Sequence, residues 1–288
     1  MSTKVFRQES KEFQMKVRWP QPGSKAKPTP GATDRLIFRK VSATVQGVIE
    51  QLGAGKQTAC TFTDNLWRRE GIRYDTADFL FKHHNLTLAI EATDERTKLK
   101  CKEHSFIPEL LFDKPKNSIC LPDIKAASRY KKHDSKLKLE EDLHFSNIKY
   151  CGSGSLFCKG RQTSVTTLDF FSDYFPRLES IAAGNTPLQA VSHWDEAVFD
   201  EMETRWGKTT FASWMLVNRW DWESHALLES ELSFKVAKAF DEEWDYPLLH
   251  KAAELYLALQ KTGLFLPAPP IFFYDNPVSS VDIQIVKK

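Results

Sequence analysis

The residues best suited to chemistry lie on segments that alternate strictly. In Glu12-Phe-Gln-Met-Lys-Val-Arg18, an extended chain puts Glu12, Gln14, Lys16 and Arg18 on one face and Phe13, Met15 and Val17 on the other. Glu229-Ser-Glu-Leu-Ser-Phe-Lys235 repeats the arrangement, with Glu229, Glu231, Ser233 and Lys235 opposite Ser230, Leu232 and Phe234. Between them, Lys98, Lys100 and Lys102 oppose Leu99 and Cys101. Three like charges on one strand face repel unless solvated or matched by an anion. Lys136-Leu-Lys-Leu-Glu140 reads as a further alternating strand, and Leu156 to Thr163 would put Lys159 and Arg161 on one face. A strand charged on one side is ordinarily the outside of a sheet. Here the pattern recurs, with cations on the central segments and carboxylates on the first and last. That favours a closed or nearly closed sheet with charge lining its interior and helices covering its apolar outer face. Such an interior suits a metal ion bridged to a polyanion.

Other motifs carry less. Trp206-Gly-Lys-Thr-Thr210 resembles the end of a P-loop but lacks the earlier glycine and follows no apolar strand. His83-His84 reads as a turn, and Trp214, Trp220 and Trp222 as packing residues without the interleaved basic pattern of a base-stacking surface.

The elements that must hold these faces can be read in order. Pro20 to Thr33 is a Pro/Gly/Lys-rich connection. Asp34 can cap a helix from about Arg35 to Leu52, with Leu36, Ile37, Val41, Val45, Val48, Ile49 and Leu52 at helical spacing and Gly53 and Gly55 at its end. Thr58 to Thr63 and Leu86 to Ala92 read as strands. Lys125 to Lys138 is a basic run whose default is a solvated surface, and Gly152-Ser-Gly-Ser155 reads as a turn. From Leu168 to about Lys208 the text is acidic and helical, with Phe171, Tyr174 and Trp194 as anchors, and is read as an insertion. Phe211 to Trp222 and Ala226 to Val236 form a hairpin through Glu223-Ser-His225. Asp245 caps a last helix with Pro247 in its first turn, and a Pro-rich tail runs from Leu266 to Lys288, with a short edge strand at 281–286.

The chain of 288 residues can bury a sizeable core, and its formal charge of +2 gives no global nucleic-acid signal. Any anion preference is therefore local. Five cysteines, odd in number and without a zinc pattern, read as reduced thiols. The N-terminus has no apolar signal region and no run approaches a membrane span, so the expectation is a cytoplasmic protein without a membrane partner.

The order of these motifs resembles the CYTH superfamily, the triphosphate tunnel metalloenzymes. That family opens with an ExExK strand, to which Glu12-Phe-Gln-Met-Lys16 is similar. Tyr74-Asp-Thr-Ala-Asp-Phe-Leu-Phe-Lys-His-His-Asn-Leu86 resembles its next element, built on an aromatic residue followed by Asp-Thr. Leu88 to Glu91, Lys98 to Lys102, Lys159-Gly-Arg161 and Glu229-Ser-Glu231 stand where the family has its basic strands and late ExE strand. The resemblance covers roughly residues 10 to 240. It implies an α+β fold: an antiparallel, eight-stranded tunnel within one CYTH-like domain over 1–288, with a helical insertion at 168–208. It implies divalent-metal-dependent hydrolysis of a triphosphate or nucleotide phosphoanhydride, with Glu12 and Glu231 catalytic. Glu12, Glu229 and Glu231 would hold Mg²⁺ or Mn²⁺, and Lys16, Lys100, Lys102, Lys159 and Arg161 the phosphates. Gln14, Ala89 and Glu91 depart from the family pattern: two cations are lost and one anion gained, which Lys98, Lys100, Lys102 and Arg219 would have to offset. Those departures motivate a second expectation, a tunnel that captures a nucleotide or phosphorylated ligand without turnover. A third is a protein partner held by the aromatic-rich 168–208 segment.

Overall fold

The structure is a computed structural model that describes residues 6–19, 28–52, 58–105, 118–123, 135–143, 148–206, 209–239 and 242–266. In chain order the elements are β1 (Phe6–Val17), α1 (Ala32–Leu52), β2 (Thr58–Phe62), β3 (Trp67–Asp75), α2 (Leu80–His83), β4 (Leu86–Ala92), β5 (Arg96–Ser105), β6 (Ser135–Leu143) and β7 (Ile148–Lys159). There follow α3 (Asp169–Ser172), a 3₁₀ turn (Pro176–Ser180), β8 (Gln189–Trp206), β9 (Thr209–Asp221), β10 (Leu227–Ala239), α4 (Tyr246–Gln260) and β11 (Phe265–Leu266).

Nine strands close on themselves in the order β1-β10-β9-β8-β3-β4-β5-β7-β6 and back to β1, while β2 and β11 pair at the edges. Strictly alternating directions can close a ring only with an even number of strands. Nine strands force one parallel pair, and it is β1 with β6. The barrel is therefore mixed, with one strand more than the eight of the expected antiparallel tunnel.

Alternation decides what faces inward. On β1, Phe13, Met15 and Val17 join an outer core with Leu232 and Phe234 of β10, Trp214 and Leu216 of β9, and Phe199 of β8. Helix α1 covers this face through Ile37, Phe38, Val41, Val45, Val48 and Ile49, and α4 through Ala252, Leu255, Tyr256 and Leu259. A second outer core lies on β3, β4, β5 and β7, where Ile72, Leu88, Ile90, Leu99 and Leu156 meet Leu168, Phe171, Phe175 and Leu178. Two apolar covers thus hold the barrel from outside and leave its charged residues inside.

Local chemistry fixes the helix ends. Asp245 accepts from the Leu248 amide at 3.0 Å and caps α4 as expected. Helix α1 begins at Ala32, so Asp34 lies in its first turn instead of capping it. Its buried carboxylate accepts from the Gly31 amide, Arg68, Asn218 and Trp220, tying the helix to β3 and β9.

The segment 168–208 differs most from its expectation. Its helical content ends by Ser180, and Gln189–Trp206 is a barrel strand of 18 residues between β3 and β9. A bulge between Phe199 and Met202 shifts its register, so the apolar residues Ala197, Val198, Phe199 and Met202 lose the period of two. Glu, Ala and Met, good helix formers, complete the disguise. Gly152 to Ser155 also lies within a strand, β7. A Cβ on Gly154 would come within 1.7 Å of the Cys120 carbonyl oxygen, so this glycine serves close approach of the outer cover. Of the basic run, Lys136 and Lys138 belong to β6 and line the barrel interior, not a solvated surface. Residues 124–134, Gly53, Gly55, Gly207 and Lys208, most of the 20–33 connection, and the tail from 267 lie outside the described residues.

Candidate functional site

The interior encloses a cavity of about 300 Å³ whose lining includes ten lysines and arginines against six carboxylates. Two regions of opposite character make up its wall.

The first is an ion-paired belt. Lys98 and Lys100 of β5 pair with Glu91 of β4, which also accepts from Arg69 Nη1 of β3 at 2.8 Å. Arg69 Nε reaches Glu196 of β8, and Glu196 accepts from Arg219 Nε of β9 at 2.7 Å. Arg219 reaches Glu229 of β10, which shares Lys16 of β1 with Glu231 at 2.6 and 2.5 Å. The chain of alternating charges crosses seven neighbouring strands. Burial alone would push Glu91 and Glu196 up, but Arg69, Lys100 and Lys98 hold Glu91 well below the usual carboxylate value. Against the same burial, Arg69 and Arg219 bring Glu196 to about 2. Gly71 leaves room within this wall for the Trp194 ring, which a Cβ would meet at 2.2 Å, and Trp194 Nε1 donates to Glu196 at 2.8 Å.

The second region is a cation-rich lane on β5, β7 and β6. Lys100, Ser155 and Lys136 stand side by side across the three strands, and Lys102, Ser153 and Lys138 form the next rung. The rungs are two residues apart, roughly 6.6 Å at the strand rise. Small hydroxyls between flanking ammonium groups leave a groove with donors on both sides. Burial and the neighbouring Lys100 push Lys98, beside the upper rung, down to about 7. Below the lower rung are Glu12 on β1 with Glu140 and Asp142 on β6. Burial and Glu140 raise Glu12; burial, Glu12 and Glu140 raise Asp142 well above the usual value. Glu140 itself, despite its burial, is drawn to about 2 by Lys138, Lys102 and Lys235.

The structure thus divides the residues expected from sequence. Glu12, Lys100, Lys102 and Glu231 line the cavity. Lys16, Glu229 and Glu231 form one cluster, in which Lys16 holds both glutamates. Glu12 lies apart from Glu231: Glu12 pairs in register with Lys235 and Lys16 with Glu231, four residues along each strand or roughly 13 Å. The three carboxylates expected to share a metal therefore do not come together. Among the described residues no three Asp, Glu, His or Cys side chains converge, as they stand, on a metal position. Arg161 lies outside the lining, on Glu70 and Asp94, and the Lys159 side chain is outside the described residues. Glu91, the unexpected anion, meets three cations of its own wall. The reasoning from sequence missed Arg69, Glu196, Lys136, Lys138, Glu140, Asp142 and Lys235. Parity would have found four of them, since Lys136, Lys138, Glu140 and Asp142 repeat the alternation of Lys98, Lys100 and Lys102.

No family model matches this chain, and no curated protein aligns with it significantly. Among solved structures, a candidate adenylate cyclase of Bacillus halodurans aligns at 9% identity and a TM-score of 0.40, over 94% of this chain and 96% of that one. HpAC1 of Hippeastrum, a candidate adenylyl cyclase with a dominant triphosphatase activity, aligns at 11% identity and a TM-score of 0.39, over 91% and 92%. At these scores the likeness carries no functional argument. The closed barrel with a charged interior rests on the strand pairing and the lining, and no described helix is long and apolar enough to cross a membrane.

Proposed function

We propose that the barrel binds the phosphate chain of a triphosphate or nucleotide along the Lys100–Lys102–Lys136–Lys138 lane and hydrolyses its anhydride with the help of Mg²⁺ or Mn²⁺. The observation that carries this reading is the pair of Lys–Ser–Lys rungs on β5, β7 and β6. Two rungs match the distance over which a triphosphate spreads its negative charge. Phosphoryl transfer needs positioning and charge neutralisation more than a covalent nucleophile, and fixed cations in a walled cavity supply both. Ser153 and Ser155 add hydroxyl donors between the ammonium groups, and Lys98 meets the chain at the upper rung. Glu12 closes the lower end with oxygen donors suited to a hard cation. When bound, that cation supplies further positive charge on the phosphate oxygens and a polarised water. Release of phosphate from tripolyphosphate and from ATP, measured with Mg²⁺, Mn²⁺ or EDTA and beside Glu12→Gln, tests the reading. Metal-dependent release that Glu12→Gln loses is expected; release that survives EDTA would sink the metal assignment.

A second reading is capture without turnover. It is favoured by Lys16, which occupies Glu229 and Glu231. Thermal stabilisation by tripolyphosphate without any phosphate release would select it.

A further inference from the structure

We propose that the divalent cation sits at the corner between β1 and β6, held by Glu12, Glu140 and Asp142 with the Ser10 hydroxyl as a neutral oxygen ligand, and not at the Glu229–Glu231 pair. This extends the triphosphate reading and rests on it for the cation's role. The placement itself follows from the strand register. β1 and β6 run parallel with Ser10 opposite Glu140 and Glu12 opposite Asp142. Residues two apart on a strand share a face, so four oxygen-bearing side chains form a two-by-two patch on the interior wall. As they stand the carboxylates do not converge on one position, so binding requires them to turn toward a shared cation.

Ser10 supplies the independent observation. It is 2% exposed, and its Oγ has no hydrogen-bond partner. A buried hydroxyl without a partner costs free energy, and native structures rarely leave one without a bound water or ion to satisfy it. On β1, Ser10 shares the inward parity of Glu12 and stands in register with Glu140. The donor set also has the right chemistry, being all oxygen as hard divalent cations prefer.

The electrostatics agree. Glu12, Glu140 and Asp142 crowd three carboxyl groups onto neighbouring positions of two strands, where like charges repel. A divalent cation would relieve that repulsion. Lys102 lines the same cavity one rung above these carboxylates and Lys138 lies 3.5 Å from Glu140, so these ammonium groups are the built-in competitors. Glu229 and Glu231 offer a cation less, because Lys16 already donates to both and Arg219 to Glu229.

The test is Mn²⁺ binding to the full chain, followed by the loss of the free-ion electron paramagnetic resonance signal, in buffer without phosphate. Asp142→Asn should weaken binding about tenfold or more, Ser10→Ala by a smaller factor, and Glu229→Gln by less than about twofold. Lys102→Met should strengthen it. Asp142→Asn should also melt no lower than the parent chain, because it removes a like charge; Ser10→Ala serves if that variant fails to fold. No bound Mn²⁺, or binding lost in Glu229→Gln and kept in Asp142→Asn and Ser10→Ala, would overturn the placement. Calorimetric binding of tripolyphosphate in EDTA reads the phosphate lane separately. If that fails while Mn²⁺ binds as stated, the triphosphate reading falls and the cation site stands.

Discussion

The belt and the lane are built from the same residue types on the same barrel, yet the belt sets opposite charges side by side in register, whereas the lane sets lysines on either side of a serine and meets carboxylates only at its ends, Glu91 at Lys100 and Glu140 at Lys138. In the belt, neighbours in register carry opposite charge: Arg69 faces Glu196, Glu196 faces Arg219, and Arg219 faces Glu229. In the lane, the neighbours of Ser155 are Lys100 and Lys136, and those of Ser153 are Lys102 and Lys138. Opposite charges across a pair stabilise a sheet, whereas like charges a strand apart oppose folding until an anion arrives. The cross-strand partner, more than the residue itself, separates structure from site.

The sharpest way to break the comparison is Glu196→Gln. This carboxylate is 1% exposed and joins two guanidinium groups. Removing one member of a buried ion pair costs about 3–5 kcal/mol when its partners stay uncompensated; Arg69 keeps Glu91 and Arg219 keeps Glu229, so about 2–3 kcal/mol is expected here. Denaturant unfolding should show a loss of that order; a change below about 1 kcal/mol would mean the belt is solvated and not structural. The matching change in the lane, Lys138→Ala, should move the other quantity. Tripolyphosphate affinity should fall by roughly 10–100-fold for one lost charge-assisted contact, with a smaller loss of stability than Glu196→Gln because Glu140 keeps Lys102 and Lys235. If Lys138→Ala unfolds the protein and spares affinity, the two regions have been assigned the wrong way round.

Proton linkage sharpens the contrast. Glu196 falls from an ordinary 4.5 to about 2 in the folded chain, as does Glu140. A carboxylate with a depressed folded pKa stabilises above its unfolded value and loses that contribution as pH falls through the folded one. Acid unfolding should therefore develop between about pH 4.5 and 2, and Glu196→Gln should flatten it. The lane shows the opposite sign. At pH 8, Lys98, pushed down to about 7, is mostly neutral in the free protein. A bound phosphate favours the charged form, so binding should take up a fraction of a proton. Calorimetry in two buffers of different ionisation enthalpy reads this directly; no difference between the buffers would remove Lys98 from the lane.

The faces of the strands were legible in sequence and their neighbours were not. Glu12, Lys100, Lys102 and Glu231 alternate with apolar residues, and period-two patterning is a local property. The hairpin of β9 and β10 and the capped helix α4 were likewise local signals. That Lys16 meets Glu229 and Glu231, or that β1 runs parallel to β6, depends on residues more than a hundred positions apart. Alternation says which side a charge faces; only closure says what it faces there. The long strand β8 was lost for a related reason. Its bulge breaks the period, and its buried Glu196 looks like a surface residue until Arg69 and Arg219 are in view.

The smallest expected effect marks the boundary of the site. Arg161 shares the sequence pattern of the lane lysines, but β7 ends at Lys159 and the chain turns at Gly160 with φ of +76°, a conformation that suits glycine. Beyond that turn Arg161 pairs with Glu70 and with the exposed Asp94, and keeps 43% of its side chain in solvent. Its charge is therefore shared with two carboxylates and screened by water and salt. Glu70 retains a second partner in His193 Nε2 at 2.7 Å, so Arg161→Ala does not leave that carboxylate alone. Stability should change by less than about 1 kcal/mol, and tripolyphosphate affinity by less than about twofold. A loss of affinity as large as that of Lys138→Ala would extend the lane around the end of β7 and make the rim of the barrel part of the phosphate site.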